Sequence, residues 1–433
     1  MERQKTEVKF YDSVDDSLLK LAVILAKKDG QWIFCKHRDR DTFEVPGGHR
    51  EPGEDIIDTA KRELYEDNKW WKIKNIMINK IKNVAIVSLS SGLLGENFIK
   101  YETEIGFQRL KDLGLNVKCM PNSLKGIKYL EEHPEKRAED LLSAFRDSEI
   151  DMILTAIGGD DTYRLLPYLL EDNVLADAVS DKVFLGFSDT TINHFMLYKV
   201  GLKTFYGQSF ISDICELSNE MLPYTKKYFE ELIRTGHISE VIPSDIWYEE
   251  RKEYTPDQIG KPRVSHNNQG FELLQGATRF SGKILGGCID SMYDMFNGDR
   301  YADMPVLCEK YGLFPDKDAW KGHIILLESS EEMPSPEIYR KTLEYLKNKG
   351  VFDSISGVLV GKPMDETYAE EYKRLLVEVI DNPDLPIVFN INIGHATPRC
   401  ILPFGVEALV DTEKQVIRFT GMNHYQTGIV SGT

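Results

Sequence analysis

The sequence predicts an α/β fold built on a parallel sheet covered on both faces, and three observations lead there. Strand-like and helix-like runs alternate through residues 82–215. Alternation of this kind gives parallel strands with crossover helices on both faces. The run "NVAIVSLSS" is a buried-strand pattern that ends in small polar residues. Ser90, Gly158, Gly159 and Ser188 each fall at the end of a strand-like run, which is where ligands sit in such sheets.

The elements follow in order. Residues 1–78 open with two β-like runs in "LLKLAVILAKKDGQWIFCKHRD" around Lys28-Asp29-Gly30, a hairpin signal. Asp55 to Asp67 has helical spacing, with Ile56, Ile57, Ala60 and Leu64 on one face. After "NVAIVSLSS", the run "FIKYETEIGFQRLKDLG" reads as a helix closing on Gly114, and "LNVKCM" as a short strand. "EKRAEDLLSAFRDSEI" is helical, "DMILTAIGG" a strand, "DTYRLLPYLL" a helix and "DKVFLGF" a strand.

Residues 216–280 read as irregular, rich in charge, aromatics, Pro and Gly. "PSDIWYEERKEYTPDQIGKPRVSHNNQG" is too long for a simple connector, and its aromatics favour an ordered, ligand-facing loop. From residue 281 mixed structure resumes: the strands "GHIILLESSEE", "ISGVLVGKP" and "LPIVFNINIGHATP", the helix "SPEIYRKTLEYLKNKG", and a terminal hairpin in "GVEALVDTEKQVIRFTG". The expected organisation is a segment at 1–78, an α/β domain at 82–225 and a C-terminal domain at 240–433.

The 433 residues carry 53 basic and 70 acidic side chains, a formal charge of −17. That surplus argues against nucleic acid or an anionic membrane as main partner, because both need a cationic face. No apolar run reaches the roughly 18–20 residues that span a bilayer, and the charged start lacks a signal peptide's apolar stretch. Six scattered cysteines without a CxxC pair fit reduced thiols. A cytoplasmic protein is expected.

"FLGFSDTTINHF", residues 184–195, sets Ser188 between a strand-like and a helix-like run. A serine hydroxyl becomes a nucleophile only when a base takes its proton and a fixed turn aims it. The backbone N–H groups of a helix start would then face the attacked carbonyl. Equally, "SDTT" is good N-cap chemistry, so both readings stand on this motif alone. "IGGDDTYRLL" repeats the geometry, and the Gly159 N–H is a candidate oxyanion donor or simply part of a tight turn. His395 follows Gly394 on a loop at a strand end, whereas His194 lies too far along its helix to meet Ser188. Glu328 closes the apolar run "HIILL", where a carboxylate must be paired or sit at a pocket edge. Holding an imidazole's second N–H would satisfy it.

Taken in order, "VAIVSLSSG", "HPEKRAEDLLSAFRD", "IGGDDTYRLLPYL", "GFSDTT", "TFYGQSF", "ILGGCIDSM", "LLESSEEMPSPE", "GVLVGKP" and "IGHATPRCILPFG" resemble the LD-carboxypeptidase superfamily of serine peptidases. The nearest group is the microcin C immunity peptidases. The resemblance implies a catalytic serine, glutamate and histidine, carried over onto Ser188, Glu328 and His395. It implies oxyanion donors at the backbone N–H groups of Gly159 and Asp189. It also implies a smaller, mainly β C-terminal domain, a homodimer, no metal, and cleavage of a small peptide or an aminoacyl-nucleotide-type amide. Murein tetrapeptides, trimmed at a terminal D-alanine, are the alternative substrates. Trp247 is a candidate stacking residue or a loop anchor, and Asp160 and Ser91 are further candidates for substrate contact. Cys288 departs from the asparagine common in "GGN". A neutral His395 as base implies activity that falls as pH drops through roughly 6–7.

"GHREPGEDIIDTAKRELYED" resembles a Nudix box at Gly48, Glu54, Arg62, Glu63, Leu64 and Glu66, with Asp67 in place of the last glutamate. Glu63, Glu66 and Asp67 on one helical face could hold Mg²⁺ against a diphosphate. The usual trailing glycine is Lys69, and the segment has about half the needed length. The expectation is a truncated, inactive Nudix-like appendage. The alternative is pyrophosphohydrolase activity with Mg²⁺ as cofactor.

Overall fold

The computed structural model describes residues 80–420 throughout and stretches within 19–62. The chain divides into two compact units, residues 1–78 and 79–433. In the first, Leu21–Val23 pairs antiparallel with Gly47–His49, and Lys27–Lys28 pairs antiparallel with Gln31–Trp32; Asp29 and Gly30 of the expected turn lie outside the described residues. Arg62 bonds Glu54 through Nε at 3.0 Å and Nη2 at 3.1 Å. Glu63, Glu66 and Asp67, the residues expected to hold Mg²⁺, lie outside the described residues.

The second unit begins with strands β1 (Asn83–Val87), β2 (Asn116–Cys119), β3 (Met152–Thr155), β4 (Val183–Gly186) and β5 (Thr204–Tyr206). These five pair in parallel, in the order β5-β4-β3-β1-β2. Three of the crossovers carry the helices α1 (Lys100–Asp112), α2 (Pro134–Arg146) and α3 (Thr190–Lys199). β1, β3 and β4 are buried along nearly their whole length, as strands covered on both faces must be.

Residues 216–280 are more regular than the sequence suggested. Pro223–Thr235 forms helix α4, whose Tyr228, Phe229, Leu232 and Ile233 are buried. Proline reads as a breaker, yet here it stands in the first turn, where its missing N–H costs nothing. Gly236 closes the helix at φ +73°. This helix spans the boundary expected at residue 225. Beyond it come β6 (Glu240–Val241) and an antiparallel hairpin of β7 (Ile246–Tyr248) and β8 (Ser265–Asn267).

The remaining strands are β9 (Glu272–Gln275), β10 (Arg279–Cys288), β11 (His323–Glu328), β12 (Gly357–Gly361), β13 (Ile387–Ile391), β14 (Leu402–Phe404), β15 (Glu407–Asp411) and β16 (Val416–Thr420). All but β14 join β6 in an eight-stranded sheet ordered β6-β16-β15-β10-β11-β12-β13-β9. Its centre, β10 to β13, is parallel, with β15 and β16 as the expected antiparallel terminal hairpin. The amphipathic helices α5 (Pro336–Asn348) and α6 (Ala369–Ile380) bury Leu343, Leu346, Leu375 and Leu376. The mixed α/β fold with a second β-rich layer is thus present.

β14 instead crosses to the first sheet and pairs antiparallel with β5, Phe205 opposite Pro403. The segment that follows β13 is therefore tied to both sheets. Among the described residues no helix is long and apolar enough to cross a membrane.

Candidate active site

Ser188 stands between β4 and α3 with φ +66°. A non-glycine residue in the left-handed region costs about 1–3 kcal/mol and persists only where packing holds it. The packing is visible here. A Cβ on Gly158 would come within 2.6 Å of the Ser188 Cβ, and one on Gly186 within 2.5 Å of Thr155 Oγ1. Only glycine at both places lets the turn close. His194, buried in α3, braces the same turn from behind through Thr204 Oγ1 (2.7 Å) and the Gly186 carbonyl (3.1 Å). Burial holds its imidazole down at about 3, so it stays neutral.

The structure brings Ser188, His395 and Glu328 together. His395 Nε2 lies 3.0 Å from Ser188 Oγ. On the other side of the ring, Nδ1–H donates to Glu328 Oε2 at 2.8 Å, and the His395 backbone N–H donates to the same oxygen at 3.2 Å. A carboxylate only accepts, which fixes the proton on Nδ1. Glu328 ends β11 and is buried. Gly361 and Gly394 wall it in, since a Cβ on either would lie 2.7 Å from its Cβ or 2.3 Å from its Oε2.

Three contributors were not singled out from sequence. Tyr206, at the end of β5, donates to Glu328 Oε1 at 2.6 Å and accepts the Ser188 N–H at 3.2 Å. It links the carboxylate to the elbow, and burial with the Glu328 charge keeps the phenol protonated. Arg399 is buried against Asp213 (2.9 Å), donates to the His395 carbonyl (3.0 Å) and lies over Phe187. Both residues stood in quoted motifs, "TFYGQSF" and "IGHATPRC", but a tyrosine or arginine there has no spacing signature. Glu331 is the third: its Oε2 is 2.9 Å from His395 Nε2. Burial opposes charge on His395, but Glu328 and Glu331 outweigh it and push the imidazole up to about 10. This corrects the expected titration at roughly 6–7, which assumed no second carboxylate at the ring.

Gly159 has φ +150°, and a Cβ there would strike Ser90 Oγ at 2.3 Å. Among the described residues, neither the Gly159 N–H nor the Asp189 N–H donates to a protein acceptor, and both residues flank Ser188 in one recess. The Asp189 carboxylate points inward, accepting from Ser90 Oγ (2.6 Å) and the Thr162 N–H (2.9 Å). Burial raises it to about 7.

A cleft of about 570 Å³ opens over Ser188 and His395. Phe98, Ile99, Ile157, Ile211 and Met364 give it an apolar wall, and Ser91 lies at its edge. The β7–β8 loop contributes Glu250, Tyr254 and Arg263, anchored by Arg251 and Arg263 on buried Glu216 at 2.7 and 2.8 Å. Trp247 does not line this cleft. It is buried, stacked on His266 at 4.5 Å, with Lys362 Nζ 4.9 Å from its ring. Asp160 lines the recess on the far side of Ser188, 3.9 Å from Arg300, together with Cys288, Asp290, Asp294 and Glu332.

An elbow serine, a buried His–Glu pair and two free amides over one cleft invite comparison with known proteins. The model of the LD-carboxypeptidase N-terminal domain matches residues 84–207, and that of its C-terminal domain matches residues 281–410. The chain belongs to the LD-carboxypeptidase family. It is 60% identical to an MccF-like protein from Streptococcus pneumoniae whose crystal structure is in complex with AMP, covering 78% of this chain and 98% of that one with a TM-score of 0.78. It is 26% identical to the microcin C7 self-immunity protein MccF of Escherichia coli over 66% of this chain and 78% of that protein. It is 25% identical to a probable murein peptide carboxypeptidase of Bacillus subtilis over 75% and 88%. These family matches lie within residues 84–410 and leave residues 1–78 unmatched.

Proposed function

We infer that this LD-carboxypeptidase-family protein is a serine-type amidase that acts on an aminoacyl-nucleotide-type substrate. The observation that carries the reading is the continuous line from Ser188 Oγ through the His395 ring to Glu328, at 3.0 and 2.8 Å. A serine at a strained turn, a base in hydrogen-bond reach and a carboxylate that orients the base are the parts of nucleophilic acyl transfer.

Neutral His395 takes the Ser188 proton as the hydroxyl attacks the amide carbonyl. Glu328 fixes the tautomer and stabilises the imidazolium that forms, and Tyr206 holds the other Glu328 oxygen. The Gly159 and Asp189 amides stabilise the oxyanion, as donors aimed at developing charge do. His395 returns the proton to the leaving nitrogen, and water releases the acyl group. These steps use only groups of the chain, so activity is expected to survive EDTA.

The nucleotide half of the reading is supported by the AMP in the Streptococcus pneumoniae relative and by the size and apolar wall of the cleft, which suit a nucleobase and ribose. A homodimer in the cytoplasm remains part of the proposal, with light scattering of the full chain as its check. The deciding experiment is a hydrolysis panel of murein tetrapeptides and aminoacyl-sulfamoyl adenosines, with Ser188→Ala as control. Release of the free amino acid from the adenosine series, absent in Ser188→Ala, is expected. Turnover of the murein peptides alone would overturn the nucleotide reading.

A further inference from the structure

Two carboxylates meet the two nitrogens of His395. Glu328 accepts the Nδ1 proton from inside the molecule. Glu331 Oε2 approaches Nε2 at 2.9 Å from the solvent side, and Ser188 Oγ stands 3.0 Å from that same nitrogen. An ionised carboxylate can only accept. A carboxylate held at this distance favours a proton on Nε2, and with it an imidazolium ring. A base for Ser188 needs the Nε2 lone pair, and a proton held there by Glu331 blocks it.

Glu331 is free to leave. It lies on the turn after β11, between the Ser330 carbonyl and Met333 N–H that close it, and its side chain is 64% exposed. It also belongs to both spaces around Ser188: the apolar cleft and the recess on the other side. The recess sets Asp160, Asp290, Asp294 and Glu332 against a single guanidinium, Arg300. An organic cation entering on that side finds an excess of negative charge, with Glu331 at the edge nearest the reacting atoms.

We propose that Glu331 is a specificity-determining latch on the base: it holds the His395 proton in the free protein and is drawn off by an ammonium group on the acyl side of the substrate. The step balances. The substrate ammonium takes the Glu331 carboxylate as its partner, the imidazolium loses its Nε2 proton to water, and the freed lone pair accepts the Ser188 hydroxyl. The other groups around the ring are Glu328 from β11, Asp290 after β10, the Arg399 guanidinium at its backbone carbonyl, and the Tyr206 phenol and Cys288 thiol near Glu328. None of these is hydrogen-bonded to Nε2. The substrate class is therefore an aminoacyl compound with a free amino group, which rests on the aminoacyl-nucleotide reading above.

The test uses the full chain and Glu331→Gln, which keeps the size of an exposed side chain. In the first arm, labelling of Ser188 by a neutral fluorophosphonate is followed against pH with no substrate present. Removing the second carboxylate is expected to move the labelling midpoint down by at least about 1 pH unit. The variant should then label roughly ten-fold faster at pH 7. In the second arm, aminoacyl-sulfamoyl adenosines with a free or an acetylated amino group are compared. The wild type is expected to prefer the free amine, and Glu331→Gln to lose most of that preference. An unchanged midpoint overturns the latch, and so does an unchanged preference. If neither protein turns over either adenosine, the nucleotide reading fails by itself and the labelling arm still decides the latch.

Discussion

Removing the Tyr206 hydroxyl takes a donor from Glu328 and an acceptor from the Ser188 amide at once. A hydrogen bond to a charged group is worth about 1.5–3 kcal/mol, so Tyr206→Phe should lower kcat about 10- to 100-fold with KM little changed. Steady-state kinetics on the best panel substrate would read this, and an unchanged kcat would contradict it. His395 gives the second prediction at this scale. With its imidazole pushed up to about 10, kcat/KM should keep rising from pH 7 toward 10, because that ratio reports the free protein's base. A profile already flat at pH 7 would contradict it. The same shift acts on stability. A histidine raised in the folded state stabilises the fold fully below about 6.5, and the gain is lost as pH rises through about 10. Ser188 was legible as a candidate because Gly186 and an apolar run announce a turn. Its alkaline base was not legible, because Glu331 reaches the ring only in three dimensions.

At the scale of elements, the site depends on glycines that let strands and loops approach. Gly394 sits at φ +81° with no room for a Cβ beside Glu328 Oε2. Gly394→Ala should displace the carboxylate and cost about 10²-fold in kcat, the usual penalty for misplacing a catalytic group by about an ångström. Retained kcat in a folded variant would show that Glu328 is not positioned as described. The parallel sheet was readable because β1, β3 and β4 are buried runs between helices, a local signal. Two features escaped for opposite reasons. Helix α4 hid behind Pro223, a breaker by composition but a starter by position. β14 hid because its partner, β5, lies some two hundred residues earlier, and pairing at that range leaves no mark in local pattern.

At the scale of the whole molecule, buried charges couple elements that lie far apart in the chain. Arg137 is fully buried and forks onto Asp161, also reaching the Leu89 and Ser90 carbonyls. It ties α2 to the loop that carries Gly159. Arg137→Met would leave buried Asp161 with only the longer Arg164 contact of 3.7 Å, and urea unfolding should show a loss of about 3 kcal/mol; a loss under 1 kcal/mol would contradict the account. The two layers were foreseeable from the strand and helix runs. The convergence of His395 onto Ser188, 207 residues apart, was not contained in any spacing: the residues offered His395 as a candidate, and the family resemblance supplied the pairing. The most direct test of the whole account is peptide mapping of the chain after fluorophosphonate labelling in EDTA, with His395→Ala alongside. A single adduct on Ser188 that disappears in His395→Ala is the predicted result. An adduct on another residue, or labelling that His395→Ala leaves intact, would contradict it.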